Sequence, residues 1–295
     1  MGVGTCGATG VRRAPDEGRV VAYSYSERVS RYERDHEVVV RDVRKGRDLH
    51  RVPVATNHRP LHLAVSPNGR HLSLVSMKFG VNSSMSHIHE VWDIGKREKI
   101  RQFNDRTAEA VFTHDSERLV TASGMEVTLD GGAVRKTRLA RDPGGRPAFS
   151  RDGRFLAVLK TSGWLELWDG AVRERKGVLP SELVPGATRF GQPLGDMAFS
   201  DDGGLLAVVV RGEAVQLWDT NTRTPLGKPL PITGRRVDSL TFDGTVLRTV
   251  TGPAAHELDL SPDRLAEQVC RRAGRDITPD EWRTYVPDAP YRSLC

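Results

Sequence analysis

Apolar residues in this chain arrive in short runs of strand length, each closed by a polar turn, and the pattern returns. The clearest stretch is PAFSRDGRFLAVLKTSGWLELWDG, residues 147–170. Ala148 and Phe149 end a first strand, and Arg151-Asp152-Gly153 supplies hairpin chemistry, because Gly accepts the positive φ that closes a tight turn. Phe155 to Leu159 is a nearly continuous apolar run, suited to a strand covered on both faces. Thr161-Ser162-Gly163 turns the chain again, and Leu165, Leu167 and Trp168 lead into Asp169. The stretch MAFSDDGGLLAVVVRGEAVQLWDT repeats the whole pattern. LAVSPNGRHLSLVSM followed by HEVWDI, and AVFTHDSERLVTASGMEVTLDG, keep its phase, the latter with Ser116 and Glu117 where Gly is expected. LTFDGTVLRTVTGPAAHELDL is a compressed copy, and APDEGRVVAYS with VVVRD is the first.

Six of these runs close on Asp: Asp42, Asp93, Asp130, Asp169, Asp219 and Asp259, separated by 51, 37, 39, 50 and 40 residues. That spacing scatters around the period of a propeller blade. A lone four-stranded sheet cannot bury its apolar faces, whereas radially stacked neighbours bury one another. The Trp before the closing Asp then serves as a large anchor between blades. Trp92-Asp93, Trp168-Asp169 and Trp218-Asp219 are expected to be structural. These residues resemble the WD-repeat family over about 14–260, which implies an all-β chain forming a WD-repeat β-propeller with six readable blades, in a ring of six or seven. The family's Gly-His dipeptide is poorly kept, with Asn57-His58 in its place before the second copy.

Residues 1–13 offer a poor strand candidate and are expected to be poorly structured. After Leu260 the period changes. Ser261-Pro262-Asp263 has the chemistry of a helix start, with a capping hydroxyl, Pro in the first turn and an acid near the positive end of the dipole. Leu265, Ala266, Val269 and Cys270 recur at helical spacing, and Gly274 stops the helix. Thr278-Pro279-Asp280-Glu281 starts a second short helix carrying Trp282 and Tyr285. A helical tail over 261–295 is therefore expected to dock on the propeller. Its string CRRAGRDITPDEWRTYVPDAPYRSLC resembles the C-terminal signature of bacterial WD-repeat proteins in which a propeller follows a STAND-type regulatory ATPase. No G-x-x-x-x-G-K-[ST] phosphate loop occurs in this chain.

Composition narrows the partners. The formal charge is +6 with a pI near 9.4, from 44 basic and 38 acidic residues. The two signs are interspersed, and no block of five or six like charges occurs, so a protein partner is favoured over nucleic acid. No stretch approaches the ~20 apolar residues of a membrane helix. Three cysteines (Cys6, Cys270, Cys295) are too few and scattered for a disulfide framework or zinc site. They point to a cytoplasmic protein in which Cys270 and Cys295 are read as reduced thiols, with a bridge between them as the alternative.

Catalysis needs converging groups, and none stand out. His87-x-His89 has the spacing of two metal ligands on one strand face, but no third ligand sits beside it, so no metal, cofactor or catalytic residue is assigned. Long connections are more informative, since loops on a rigid scaffold carry binding. SERVSRYERDHE (26–37) and KFGVNSSMSHI (78–88) lie between the second and third strands of the first two copies. They bring Arg28, Arg31, Tyr32, Arg34, Phe79, Met85 and His87 toward one face, and Arg, Tyr, Phe and Met are enriched at interfaces. The insertion PSELVPGATRFG (180–191) joins them if RERKGVL is the outer strand of its blade. The expectation is a non-enzymatic protein-interaction scaffold or sensory module in bacterial signalling or transcriptional regulation. The alternatives are a basic nucleic-acid-binding propeller and a propeller hydrolase or lactonase.

Overall fold

A computed structural model describes all residues except 1–6, 14–19, 29–33, 56–57, 80–84, 142–143, 161–162, 180–195, 211, 233–235, 238, 252–253, 286–289 and 294. The chain forms six antiparallel sheets, each built from consecutive strands and arranged as a six-bladed β-propeller ring. Sheet one runs Gly7–Arg13, Val20–Arg28, Arg34–Asp42, Arg47–Pro53, and sheet two His58–Val65, His71–Phe79, Met85–Asp93, Glu98–Asp105. Sheet three has Ala110–Phe112, Arg118–Thr121, Met125–Thr128 and Val134–Lys136, and sheet four Arg146–Phe149, Phe155–Leu159, Leu165–Asp169 and Arg175–Leu179. Sheet five has Met197–Phe199, Leu205–Val210 and Ala214–Asp219, and its outer strand comes in two pieces, Thr224–Pro225 and Leu230–Pro231. Sheet six has three strands, Ser239–Asp243, Val246–Thr251 and Ala254–Asp259; among the described residues no fourth strand pairs with Ala254–Asp259.

The segment 1–13, expected to lack structure, contributes Gly7–Arg13 as the first strand of sheet one. Its sequence has little apolar alternation, but the strand pairs along Val20–Arg28, with a register shift between Thr9 and Val11. Backbone pairing to an apolar neighbour substitutes for side-chain pattern.

The turn between the first and second strands repeats in atomic detail. In sheets two to five the Gly69, Ser116, Gly153 and Gly203 amides donate back to Ser66, Thr113, Ser150 and Ser200 carbonyls over 2.8–3.1 Å. The hydroxyls of those same Ser and Thr residues accept from the amides of His71, Arg118, Phe155 and Leu205. Ser116 occupies the glycine position with φ +63°, within a few degrees of Gly69 at +69° and Gly203 at +67°. The hydrogen bonding of the turn thus holds a non-glycine residue in the left-handed region, at a cost of about 1–2 kcal/mol.

The closing aspartates explain themselves in the same way. One carboxylate oxygen of Asp42, Asp93, Asp169 and Asp219 accepts amides of the following turn, for example Arg44 and Lys45 at 3.1 and 3.0 Å on Asp42. Asp130 and Asp259 accept from Gly132 and Ser261. Each Asp gives the turn's free amides an acceptor; five of them end their strand, whereas the third strand of sheet three stops at Thr128, two residues before Asp130.

Among the described residues five apolar clusters are each shared by two consecutive sheets, from sheets one and two to sheets five and six. Trp92 packs with Val38, Val40 and Val52 of sheet one and Leu72 of its own sheet. Trp168 packs with Val120 of sheet three and with Leu139, and Trp218 with Leu165, Leu167 and Leu179 of sheet four. Trp218 is 1% exposed. Burying such a ring contributes about 1.5–3 kcal/mol or more, and all three Trp side chains pack in seams between consecutive sheets.

The tail holds two helices, α1 (Pro262–Ala273) and α2 (Pro279–Tyr285). Ser261 stands at the N-cap of α1, but its hydroxyl makes no capping bond; its amide donates to Asp259 instead, at 2.9 Å. Gly274 ends α1 at φ +66° with its amide on the Cys270 carbonyl. Cys270 and Cys295, expected as reduced thiols, are joined as a disulfide with Cα atoms 5.4 Å apart. The tail folds back on itself to bring them together. Tyr291 Oη donates to the Ile277 carbonyl, and Trp282 and Tyr291 meet edge to face at 5.9 Å. No helix among the described residues is long and apolar enough to cross a membrane.

Candidate binding face

Antiparallel sheets give the ring two unlike faces. On one face lie the tight Ser-x-x-Gly turns and the turns that follow the closing aspartates. On the other lie the connections between second and third strands, together with those leading from one sheet to the next.

The tight-turn face is stitched from blade to blade by main chain and short polar groups. The Asn68 amide donates to Ser116 Oγ at 3.1 Å, Arg154 Nη2 to the Asp202 carbonyl at 2.7 Å, and the Gly244 amide to Asp201 Oδ2 at 3.0 Å. The opposite face carries a chain of ionisable side chains. His62 Nδ1 stands 2.9 Å from Glu109 Oε2, Arg146 lies 3.9 Å from the same Glu109 and 3.3 Å from Asp196, and Asp196 Oδ2 accepts the Leu240 amide at 3.0 Å. Sheets two to six are thereby linked in series. Each of the four residues precedes the same repeat position, ahead of Leu63, Ala110, Pro147 and Met197. Stacking the copies in register would have exposed this belt, which the sequence reading missed because no single residue in it is unusual.

The second-to-third-strand hairpins of sheets one and two both open on this charged face. Their registers close with Arg28 opposite Arg34 and Phe79 opposite Met85. Arg31 and Tyr32 lie outside the described residues, as do the side chains of Arg28, Arg34, Phe79 and Met85. The RERKGVL segment does form the outer strand of sheet four, Arg175–Leu179, with Leu179 opposite Leu165. The connection it begins therefore starts on the same face, although 180–195 lie outside the described residues.

His87 is half-buried and sits opposite Asp105 in the ladder. Its neighbour His89 is fully buried, stacks on Phe103 at 4.9 Å and has Nε2 2.8 Å from the Thr107 carbonyl. Burial pushes its pKa below the usual imidazole value, against the opposing effect of that carbonyl. His89 is thus a core residue, and the two imidazoles do not form a ligand pair. Among the described residues no group of three His, Cys, Asp or Glu side chains stands ready for a metal ion.

Beside His87 the same face holds a groove of about 540 Å³ between sheets two and three, lined by residues that include Asp105, Arg106, Ser123, Met125, Lys136 and Ala140. Asp105 is fastened to its wall, accepting from Ser123 Oγ at 2.7 Å, Thr107 Oγ1 at 3.2 Å and the Arg106 amide at 2.6 Å. The floor exists because Gly124, at φ +83°, lets the turn around Ala140 approach; a Cβ there would fall 2.2 Å from the Ala140 nitrogen. No family model and no curated protein matches the chain.

Proposed function

We propose that this chain is a non-enzymatic protein-interaction module of the WD-repeat type. It serves as a scaffold or sensory part in bacterial signalling or transcriptional regulation, and it engages its partner through the charged face. One observation carries the reading: the longest hairpins, the inter-sheet connections and the groove beside His87 all belong to a single face of a belted ring. A stiff ring presents loops whose ordering cost is already met, so less entropy is lost on association. The Trp anchors between blades and the amide-binding closing aspartates support the WD-repeat assignment. The tail's resemblance to propellers that follow STAND-type ATPases supports the signalling role. A cytoplasmic site, suggested by the low cysteine count, stands against the Cys270–Cys295 bridge, because disulfides persist in oxidising compartments.

The experiment is site-specific photocrosslinking. A photoreactive side chain replaces Phe79 on the hairpin face in one variant and Asn221 on the tight-turn face in another. The reading expects a defined partner from the Phe79 position, and weakened affinity for it when Tyr32, Arg34 and Phe79 are replaced together. Equal capture from both faces, or affinity untouched by the triple replacement, would refute it.

A further inference from the structure

The groove between sheets two and three has a charge imbalance that the ring does not use. Several cations are committed to acids, for example Arg118 to Asp115 and Glu126, Arg175 to Glu166 and Arg146 to Asp196. Along residues 131–141 the chain reads GGAVRKTRLAR, with four cations and no acid. Lys136, Arg138 and Arg141 are exposed, as is Arg106 on the facing wall. None of these four side chains makes a hydrogen bond or ion pair among the described residues. The nearest acid in the groove, Asp105, already accepts three hydrogen bonds, from Ser123, Thr107 and the Arg106 amide.

We propose that this groove binds an acidic peptide segment, with carboxylates on Arg106 and Lys136 and further acids along Arg138 and Arg141. The inference rests on the protein-interaction reading above and names the chemistry of the partner. Cations strung along the rim call for several negative charges in a row rather than one ion. Met125 and Ala140 give the groove apolar wall for the aliphatic part of a Glu or Asp side chain. No aromatic side chain among the described residues lines it, which gives bases no stacking platform there and disfavours a single nucleic-acid strand. The carboxylate of Asp105 repels a compact dianion at the groove's floor, whereas a peptide keeps its charges at the rim and can offer an amide inward.

The test is fluorescence polarisation of a labelled dodecapeptide alternating Glu and Ser, titrated with the full chain at low and physiological salt. Three comparisons accompany it: a Gln/Ser peptide, a double reversal Arg106→Glu/Lys136→Glu, and an equal reversal elsewhere on exposed sites, Lys228→Glu/Arg271→Glu. The neutralising pair Arg106→Gln/Lys136→Gln guards against an effect of repulsion alone. Binding of the acidic peptide that falls at least tenfold in both groove variants, less than twofold in the distant one, and is absent for the Gln/Ser peptide is the expected result. Equal loss in the groove and distant variants, or no binding at low salt, overturns the proposal. Tighter binding of an oligothymidylate of matched charge than of the acidic peptide, lost in the groove variants, overturns it in favour of nucleic acid. Crosslinking from Phe79 reads the broader interaction role separately, so a silent peptide with a captured partner refutes the acidic groove alone.

Discussion

Arg146 of sheet four places Nη1 3.3 Å from Asp196 of sheet five while its Nε faces Glu109 of sheet three, so one guanidinium bridges three blades. Its side chain and that of Asp196 are only 12% and 13% exposed. Pairs so sheltered are screened little by salt, and losing one partner strands the other.

Arg146→Ala is accordingly expected to destabilise the ring by about 1–3 kcal/mol. Urea unfolding of Arg146→Ala, Asp196→Ala and the double variant checks it through the coupling energy. A coupling below about 0.5 kcal/mol would mean that the belt is ornamental.

Two tryptophans offer a contrast in burial. Trp218 is 1% exposed within the seam of sheets four and five, and Trp164 is 55% exposed. Trp218→Ala is expected to cost about 3–5 kcal/mol, and Trp164→Ala less than about 0.5 kcal/mol. Thermal unfolding of the two variants separates them, and similar midpoints would contradict the inter-blade role.

Gly124 and Gly46 both have positive φ, at +83° and +63°, but only Gly124 is crowded, with Ala140 against it, while nothing lies within 4 Å of a Cβ at Gly46. Gly46→Ala should cost only the conformational penalty, about 1 kcal/mol. Gly124→Ala should cost clearly more, because the turn forming the groove floor must move. Denaturation midpoints of both variants provide the comparison.

Glu281 anchors the start of α2. Arg275 grips its carboxylate with two bonds of 2.8 and 2.7 Å, and the Thr278 amide donates at 2.9 Å, while the Glu281 amide donates to Thr278 Oγ1. This reciprocal pattern is a capping box. The Arg275 guanidinium, then the Thr278 amide, pull its pKa down from 4.5 to about 2. A depressed carboxylate stabilises the fold above the unfolded value and loses that contribution as pH falls through the folded one. Order in the tail, read by Trp282 fluorescence, should therefore hold above pH 4.5 and decay toward pH 2. In Glu281→Gln that acid step should vanish; an unchanged step would locate it elsewhere.

The bridge between Cys270 and Cys295 closes a loop across a separation of 25 residues, for which chain entropy allows roughly 3 kcal/mol. Alkylation before reduction should label Cys6 alone, and reduction should loosen the tail while leaving the ring's unfolding midpoint in place. Labelling of all three cysteines in freshly isolated protein would restore the reduced form.

Much of the fold was legible because its signals are local. The Ser200-to-Gly203 turn, the Asp219 carboxylate on the Asn221 and Thr222 amides, and the Gly274 stop all involve residues a few positions apart. Where local chemistry was ambiguous, reading failed. Ser116 hides a left-handed position that only its turn's hydrogen bonds maintain, and Gly7–Arg13 owes its strand to a neighbour rather than to its own pattern. Of the loop face, the hairpins were visible as insertions, but the groove was not. Arg106 and Lys136 come from different blades, and no periodicity announces that they line the same groove.

The sequence by itself determined that this chain repeats and which residues turn it, since a strand period and a turn bond are properties of neighbours along the chain. It left the ring open between six and seven blades, and the structure has six. Tertiary structure alone decided which charges meet. His62, Glu109, Arg146 and Asp196 form a belt, Cys270 finds Cys295, and Arg106 and Lys136 line one groove with Asp105. The physical reason is that electrostatic and covalent partners are chosen by distance in space, and the radial stacking of sheets sets that distance.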